Sequence, residues 1–168
     1  MSNENATVQT ELAGKYLTFR LGVEEYGLEI LKVQEIIGMM NVTKVPRTPH
    51  FVRGVINLRG KVIPVVDLRL KFDMENQEDT ERTCIIVVQI VNNGEEVTMG
   101  IIVDEVSEVL DVTAEQIEAA PSFGGGVHTD FILGMGKVGE KVLMLLDVDR
   151  VLSTGEAALV GQMAGDES

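Results

Sequence analysis

Hydrophobic and polar residues alternate early in the chain. Leu17, Phe19, Leu21 and Val23 alternate with Thr18, Arg20 and Gly22, and Tyr26, Leu28 and Ile30 alternate with Gly27 and Glu29. A period of two turns every second side chain to one face, so both stretches predict half-buried strands, with Gly22 to Glu25 turning them into a hairpin. Ile30, Val33 and Ile37 are spaced as on one face of a helix, which predicts a short helix there. Thr48 as N-cap and Pro49 at the first position predict a helical turn that Gly54 ends. Val55-Ile56 and Val62 to Val66 predict strands on either side of the turn Asn57-Leu58-Arg59-Gly60. Pro64 cannot donate to a ladder, which argues for an edge position or a bulge.

Met74 to Arg82 is polar and mostly acidic and predicts the boundary between two halves. Beyond it, Cys84 to Val91 predicts an apolar strand, Asn93-Gly94 a tight hairpin turn, and Val97 to Val103 the returning strand. Thr113-Ala114-Glu115-Gln116 has the spacing of a capping box at the start of a short helix. Gly124 to Gly126, after Phe123, predicts a flexible loop, and Phe131 to Leu133 and Val142 to Val148 the last strands. Residues 1–14 predict a flexible N-terminus, and residues 153–168 a weak helix and a frayed tail.

The halves resemble each other. Gly27 to Ile37 aligns with Gly100 to Leu110 at an offset of 73 (100 − 27), matching Val33 with Val106 and Glu35 with Glu108. Phe51-Val-Arg-Gly54 aligns with Phe131-Ile-Leu-Gly134, and Lys61 to Leu68 with Lys141 to Val148, at an offset of 80 (131 − 51). A duplicated unit with many short strands predicts an all-β protein of two small barrels, lobe one over about 15–80 and lobe two over about 82–152. Neither lobe alone supplies more than a marginal core, so the two should pack together. Matched residues such as Asp67 and Asp147 predict shared structural roles, and function is expected where the lobes differ or in the groove between them.

Composition narrows the chemistry. The formal charge of −13 opposes phosphate backbones and anionic lipid, and aromatics make up only 4% of the chain. Nucleic-acid and direct membrane-surface binding are therefore disfavoured. No apolar run is long enough to span a bilayer, and the first residues lack the apolar core of a signal peptide, so a cytoplasmic protein is expected. One cysteine, Cys84, permits neither an internal disulfide nor a thiolate zinc cluster. His50 and His128 lack metal-ligand spacing, and Asp147 with Asp149 is a weak cation site, so neither metal nor cofactor is expected. Gly134-x-Gly136-x-x-Gly139 has a dinucleotide spacing, but a strand follows it where a helix is required. No nucleophile motif points to catalysis. Arg59 is the exception among polar residues: it puts a long cation beside Leu58 on a hairpin turn. That placement suits either a solvated arginine or a protein-interface anchor.

Tyr16 to Ile36, Phe51 to Arg69 with its run Gly54-Val-Ile-Asn-Leu-Arg-Gly60, and Gly100 to Val106 together resemble the CheW family of bacterial chemotaxis coupling proteins. The resemblance covers about residues 15–152, in order and without large gaps. It implies a single CheW-like domain of two packed SH3-like, five-stranded β-barrels, with short helical segments and a C-terminal helix. It implies a non-enzymatic adaptor between the cytoplasmic tips of methyl-accepting chemoreceptors and the regulatory domain of a CheA-type histidine kinase, recruited to receptor arrays through these partners. The same fold could serve a non-flagellar pathway such as twitching motility. The resemblance places Val33, Glu35, Asn57, Arg59, Cys84 and Val109 at or near the receptor face, in the groove between lobes. It places Val42, Val45 and Ile63 on a lobe-one edge that meets the kinase, and Phe123 at a second kinase contact.

Overall fold

The computed structural model describes residues 11–72, 74, 78–92, 94–119 and 131–152. Phe123, the glycine-rich loop and the expected C-terminal helix over 153–168 lie outside the described residues. The strands are β1 (Gly14–Leu21), β2 (Glu24–Glu29), β3 (Val33–Gly38), β4 (Val52–Leu58), β5 (Lys61–Asp67), β6 (Cys84–Asn92), β7 (Glu95–Val103), β8 (Glu105–Val112), β9 (Ile117–Glu118), β10 (Ile132–Val138) and β11 (Lys141–Leu146). Two short helices, α1 (Leu68–Lys71) and α2 (Val148–Val151), follow the hairpins β4–β5 and β10–β11.

The strands form two sheets, in the orders β8-β1-β2-β11-β10-β9 and β3-β6-β7-β5-β4. The first is therefore six-stranded, against the five expected, because the two-residue β9 adds to its edge.

The sheets do not follow the expected division near residues 80–82. β1 and β2 belong with β8 to β11, whereas β6 and β7 belong with β3 to β5. Each half has given its first hairpin to the other half's sheet. The connections explain this exchange. Only Asp104 separates β7 from β8. One residue is too few for the two-residue turn that would fold β8 back on β7. The strand instead runs straight into the other sheet. Likewise a 3-10 turn of three residues, Ile30–Lys32, carries the chain from β2 into β3.

This turn also corrects the expected helix over Ile30 to Ile37. Val33 onward is extended, and the strand β3 pairs with β6 from Val33↔Val88 to Gly38↔Cys84. The helical turn expected after Thr48-Pro49 is a single turn, in which the Val52 N–H donates to the Pro49 carbonyl at 3.0 Å, and it ends before Gly54 because β4 begins at Val52. Thr113 to Gln116 is a single 3-10 turn, in which the Gln116 side chain accepts the Thr113 N–H at 2.9 Å. Pro64 is not on an edge strand, since β5 lies between β4 and β7. Pairing with β7 begins only at Val65↔Gly100, so the missing proline N–H interrupts no ladder there.

The duplication extends to strand pairing and to hydrogen bonds at the hairpin ends. Val65↔Gly100 in the parallel pair β5–β7 corresponds to Leu145↔Gly27 in the parallel pair β11–β2. The carbonyls of Phe51 and Phe131 accept the N–H groups of Asp67 and Asp147, each at 2.8 Å. The Asp67 and Asp147 side chains then cap α1 and α2 by accepting the N–H groups of Arg69 and Arg150. Capping of this kind is worth about 1 kcal/mol. The second G-x-G-x-x-G glycine lies in β10 and the third in the turn to β11, so the pattern is hairpin chemistry with no helix to hold a phosphate.

Three apolar clusters result. Ile56, Ile63, Val65, Ile85, Val87 and Ile102 fill the middle barrel, and Tyr16, Val112, Ile117, Leu143 and Leu145 fill the barrel built from the two ends of the chain. The largest cluster lies between the sheets and includes Phe19, Leu28, Ile86, Met99, Ile101 and Leu152. The alternating face of β6 and β7 not used inside the middle barrel supplies this inter-sheet core.

A charged cluster stands at the same junction. Arg69 is only 1% exposed and binds Asp67 (2.9 Å), Asp79 (2.7 Å) and Asp104 (2.9 Å), while Arg53 binds Asp67 and Asp79 at 3.0 and 3.1 Å. Burial alone would favour a neutral Arg69, but the hydrogen bonds it donates to Asp67, Asp79 and Asp104 outweigh this and hold the guanidinium charged. Among the described residues no buried side-chain polar atom lacks a partner.

Candidate functional site

The edge strands β3 and β8 flank the inter-sheet core. Val33 of β3 and Val106 of β8 both pack against that core. Cys84 lies between the two strands. Its backbone pairs with Gly38 of β3, and its thiol accepts a hydrogen bond from the Val106 N–H. Burial raises the Cys84 thiol pKa, the Val106 N–H opposes this, and Glu105 adds to it. The thiol is therefore a protonated small hydrophobe near neutral pH rather than a nucleophile.

Each edge strand turns one large apolar side chain outward: Ile36 is 45% and Val109 48% exposed. They are repeat equivalents at the offset of 73, and both sit beside the buried junction. Ile36 was not among the expected site residues, and that offset, applied to Val109, points to it.

Asn57, Arg59 and Glu35 form the adjoining polar end. Leu58↔Lys61 is the last pair of the β4–β5 ladder, so Arg59-Gly60 is a two-residue hairpin loop with φ of 53° and 86°. Positive φ at both positions is the type I′ geometry that matches strand twist. The Asn57 side chain accepts the Gly60 N–H at 2.8 Å and so braces the turn. The guanidinium of Arg59 is bound by the carboxylate of Glu35 in β3. Arg59 remains 69% exposed at its side chain, so the pair leaves donors facing solvent. The equivalent turn of the other sheet has Gly139 in place of Arg59, at φ 62°.

On the middle sheet's other side, Val42 and Val45 are half-buried in the loop before β4, where Thr43 bridges Val55. Ile63 does not join them at the surface. It points into the middle barrel and is 2% exposed, whereas its neighbour Val62 is 53% exposed. On a strand, adjacent side chains face opposite ways, and a one-residue misplacement reverses the face. Val62 is the exposed apolar side chain at that end of β5. Phe123 lies outside the described residues.

A cleft of about 290 Å³ between the sheets is lined by Tyr26, Phe72, Phe131, Ile132, Met144 and Leu146, with Lys71 as its charged residue. Among the described residues no three His, Cys, Asp or Glu side chains are grouped to hold a metal ion, and no helix is long and apolar enough to cross a membrane.

Residues 15–156 match the family model described as the CheW-like domain. The chain is 47% identical to the chemotaxis protein CheW of Klebsiella aerogenes over 95% of its own length and 96% of that protein's. It is 31% identical to the chemotaxis protein CheW of Bacillus subtilis, covering 87% of this chain and 91% of that one. Among solved structures, the scaffolding protein TtCheW of Thermoanaerobacter tengcongensis superposes with a TM-score of 0.74 at 33% identity, over 86% of this chain and 96% of that chain. Two interlocked sheets and an outward apolar pair on their edge strands coincide with close sequence likeness, and the chain belongs to the CheW family of chemotaxis adaptors.

Proposed function

We propose that this chain couples methyl-accepting chemoreceptors to a CheA-type histidine kinase, as a cytoplasmic scaffold drawn to the membrane only through its partners. The exposed pair Ile36 and Val109 on the two edge strands carries this reading. A receptor tip is a helical hairpin, and a helix docks by laying apolar anchors into an apolar groove. Val33 and Cys84 support the floor of that groove, and Arg59, steadied by Glu35 and Asn57, adds a directed cation at its polar end. Arginine is suited to this task because its planar fork pairs with carboxylates or carbonyls.

The kinase contact falls on the other side of the middle sheet, around Val42, Val45 and the exposed Val62, with Phe123 assigned to a second kinase contact by family resemblance alone. Separate partner surfaces are what a scaffold requires, since both partners must be held at once. A net charge of −13 keeps the chain from nucleic acid and anionic lipid.

Titration of Ile36→Asp and Val109→Asp against a receptor-tip fragment and a kinase regulatory-domain fragment tests the assignment. Each should abolish measurable receptor binding and leave kinase affinity within a factor of two. Undiminished receptor binding by both variants removes the groove from the receptor site.

A further inference from the structure

The chain passes from one sheet to the other at Ile30–Lys32, before β3, and again at Asp104, before β8. Each crossing is tied by an ion pair to the short helix of the opposite half. Lys32 binds Asp149 of α2 at 2.7 Å, and Asp104 binds Arg69 of α1 at 2.9 Å. Asp149 and Arg69 are equivalents at the repeat offset of 80. The polarity is reversed: the crossing is the cation in the first pair and the anion in the second.

Both carboxylates also reach a backbone N–H across the junction. Asp149 accepts from Val91 of β6 at 2.9 Å, and Asp104 accepts from Gly22 in the β1–β2 turn at 2.7 Å. Each carboxylate therefore joins one sheet to the other and to a crossing, an arrangement with no counterpart in a simple hairpin. The Asp104 clamp is buried, with side chains 2% and 13% exposed, while the Lys32 clamp is half-exposed at 28% and 31%.

The strands that begin at these crossings, β3 and β8, are the two walls of the groove. Moving either crossing moves the first residue of a wall. We infer that Lys32–Asp149 and Asp104–Arg69 are a matched pair of positioning clamps that fix the spacing of β3 and β8, and hence, on the receptor reading above, the geometry offered to the receptor tip. Lys32 and Asp149 act here as positioning residues. The opposite polarity suits two clamps in one molecule, because neither can exchange partners with its equivalent: Lys32 placed on Arg69, or Asp104 on Asp149, would set like charges together.

The half-exposed clamp can be opened without unfolding the core. Lys32→Met removes the cation and keeps most of the apolar stem, and Asp149→Asn removes the charge while keeping an acceptor for the Val91 N–H. Nitroxide labels on cysteines introduced at the exposed, repeat-equivalent positions Gln34 and Ser107 report the spacing by pulsed electron resonance; Cys84 is buried. Each single variant should broaden and shift the Gln34–Ser107 distance distribution and weaken receptor-fragment binding about tenfold. The double variant should be no worse than either single one, as for two residues acting through one interaction. Kinase-fragment affinity should stay within a factor of two.

An unchanged distance distribution overturns the clamps whatever the binding does. A shifted distribution with unchanged receptor affinity sustains the clamps and overturns the groove as the receptor site. Additive losses in the double variant overturn the pairing of Lys32 with Asp149.

Discussion

Arg59 and Glu35 meet although their strands never pair. β4 and β3 are the two edges of the middle sheet, and the guanidinium of Arg59, in the turn that follows β4, is bound by the carboxylate of Glu35 in β3. The pair closes the open seam of the barrel at its solvent end, and it aims the exposed arginine. Surface pairs of this kind add at most about 1 kcal/mol to stability, so the contact matters through direction more than through energy. Arg59→Ala should cost about 2 kcal/mol in receptor binding, roughly thirtyfold, with kinase binding retained. Arg59→Gly separates the two roles. The residue stands at φ 53°, where glycine is strain-free and the equivalent turn already uses one. That variant should lose receptor affinity as Arg59→Ala does, while melting at the same temperature as the parent or slightly above it. Equal losses of receptor and kinase binding would show that the turn itself had been disturbed.

Arg69 should behave oppositely. It is buried and touches three aspartates, so removing it strands carboxylates at the junction between sheets. Arg69→Met should destabilise the fold by about 3–5 kcal/mol. Urea unfolding of the two proteins at neutral pH measures this directly, and a difference below about 1 kcal/mol would show that the network contributes little to stability.

Alternation along β1 and β2 was legible because each strand has one face in the inter-sheet core and the other facing outward or into another cluster. The offset repeat was legible for the same reason, and it paired Asp67 with Asp147 in a shared structural role, which proves to be that of helix caps. The exchange of hairpins was not legible. It depends on the lengths of two connections, three residues and one, and sequence alignment of the halves is blind to which sheet a strand enters. The Ile30-Val33-Ile37 spacing misled because these side chains face the inter-sheet core and the middle barrel by turns, which mimics a helical face. At the site, Arg59 stood out from its turn, whereas Ile63 was placed on the wrong face by one residue. The Arg53–Asp79 and Arg69–Asp104 contacts join residues 26 and 35 positions apart, with no local pattern to announce them.

Asp79 links that network to pH. Burial alone would raise its pKa, but hydrogen bonds from Arg69 and then Arg53 outweigh this and hold it below its ordinary 3.8. A depressed folded-state value means that the unfolded chain binds the proton more readily. The stabilisation is therefore fully present above the unfolded value, near pH 4, and is lost as pH falls through the folded value. Between about pH 5 and pH 2 the parent should lose stability more steeply than Asp79→Asn, which has no proton to take up there. Denaturant midpoints across that range are the measurement, and parallel slopes would show that Asp79 is not the linked group.

Gly54 marks where the chain comes closest to itself. A Cβ built on it would lie 2.0 Å from the backbone oxygen of Thr43, and its φ is 140°. The crowding follows from the mutual hydrogen bonds of Thr43 and Val55, at 2.8 and 2.9 Å, which lay the loop carrying Val42 and Val45 across β4. A backbone oxygen cannot swing aside as a long side chain can, so Gly54→Ala must break that bridge or distort the strand. It should cost at least about 2 kcal/mol. It should also weaken kinase binding, because Val42 and Val45 move with the loop. Gly60→Ala is the control. Its φ is also positive, at 86°, but nothing lies within 4 Å of an added Cβ. That variant should cost only about 1 kcal/mol and leave kinase affinity unchanged. If the two alanine variants unfold at the same urea concentration, the Thr43 contact is not what holds glycine at position 54. If Gly54→Ala is destabilised but binds the kinase fragment normally, the loop is not part of the kinase contact.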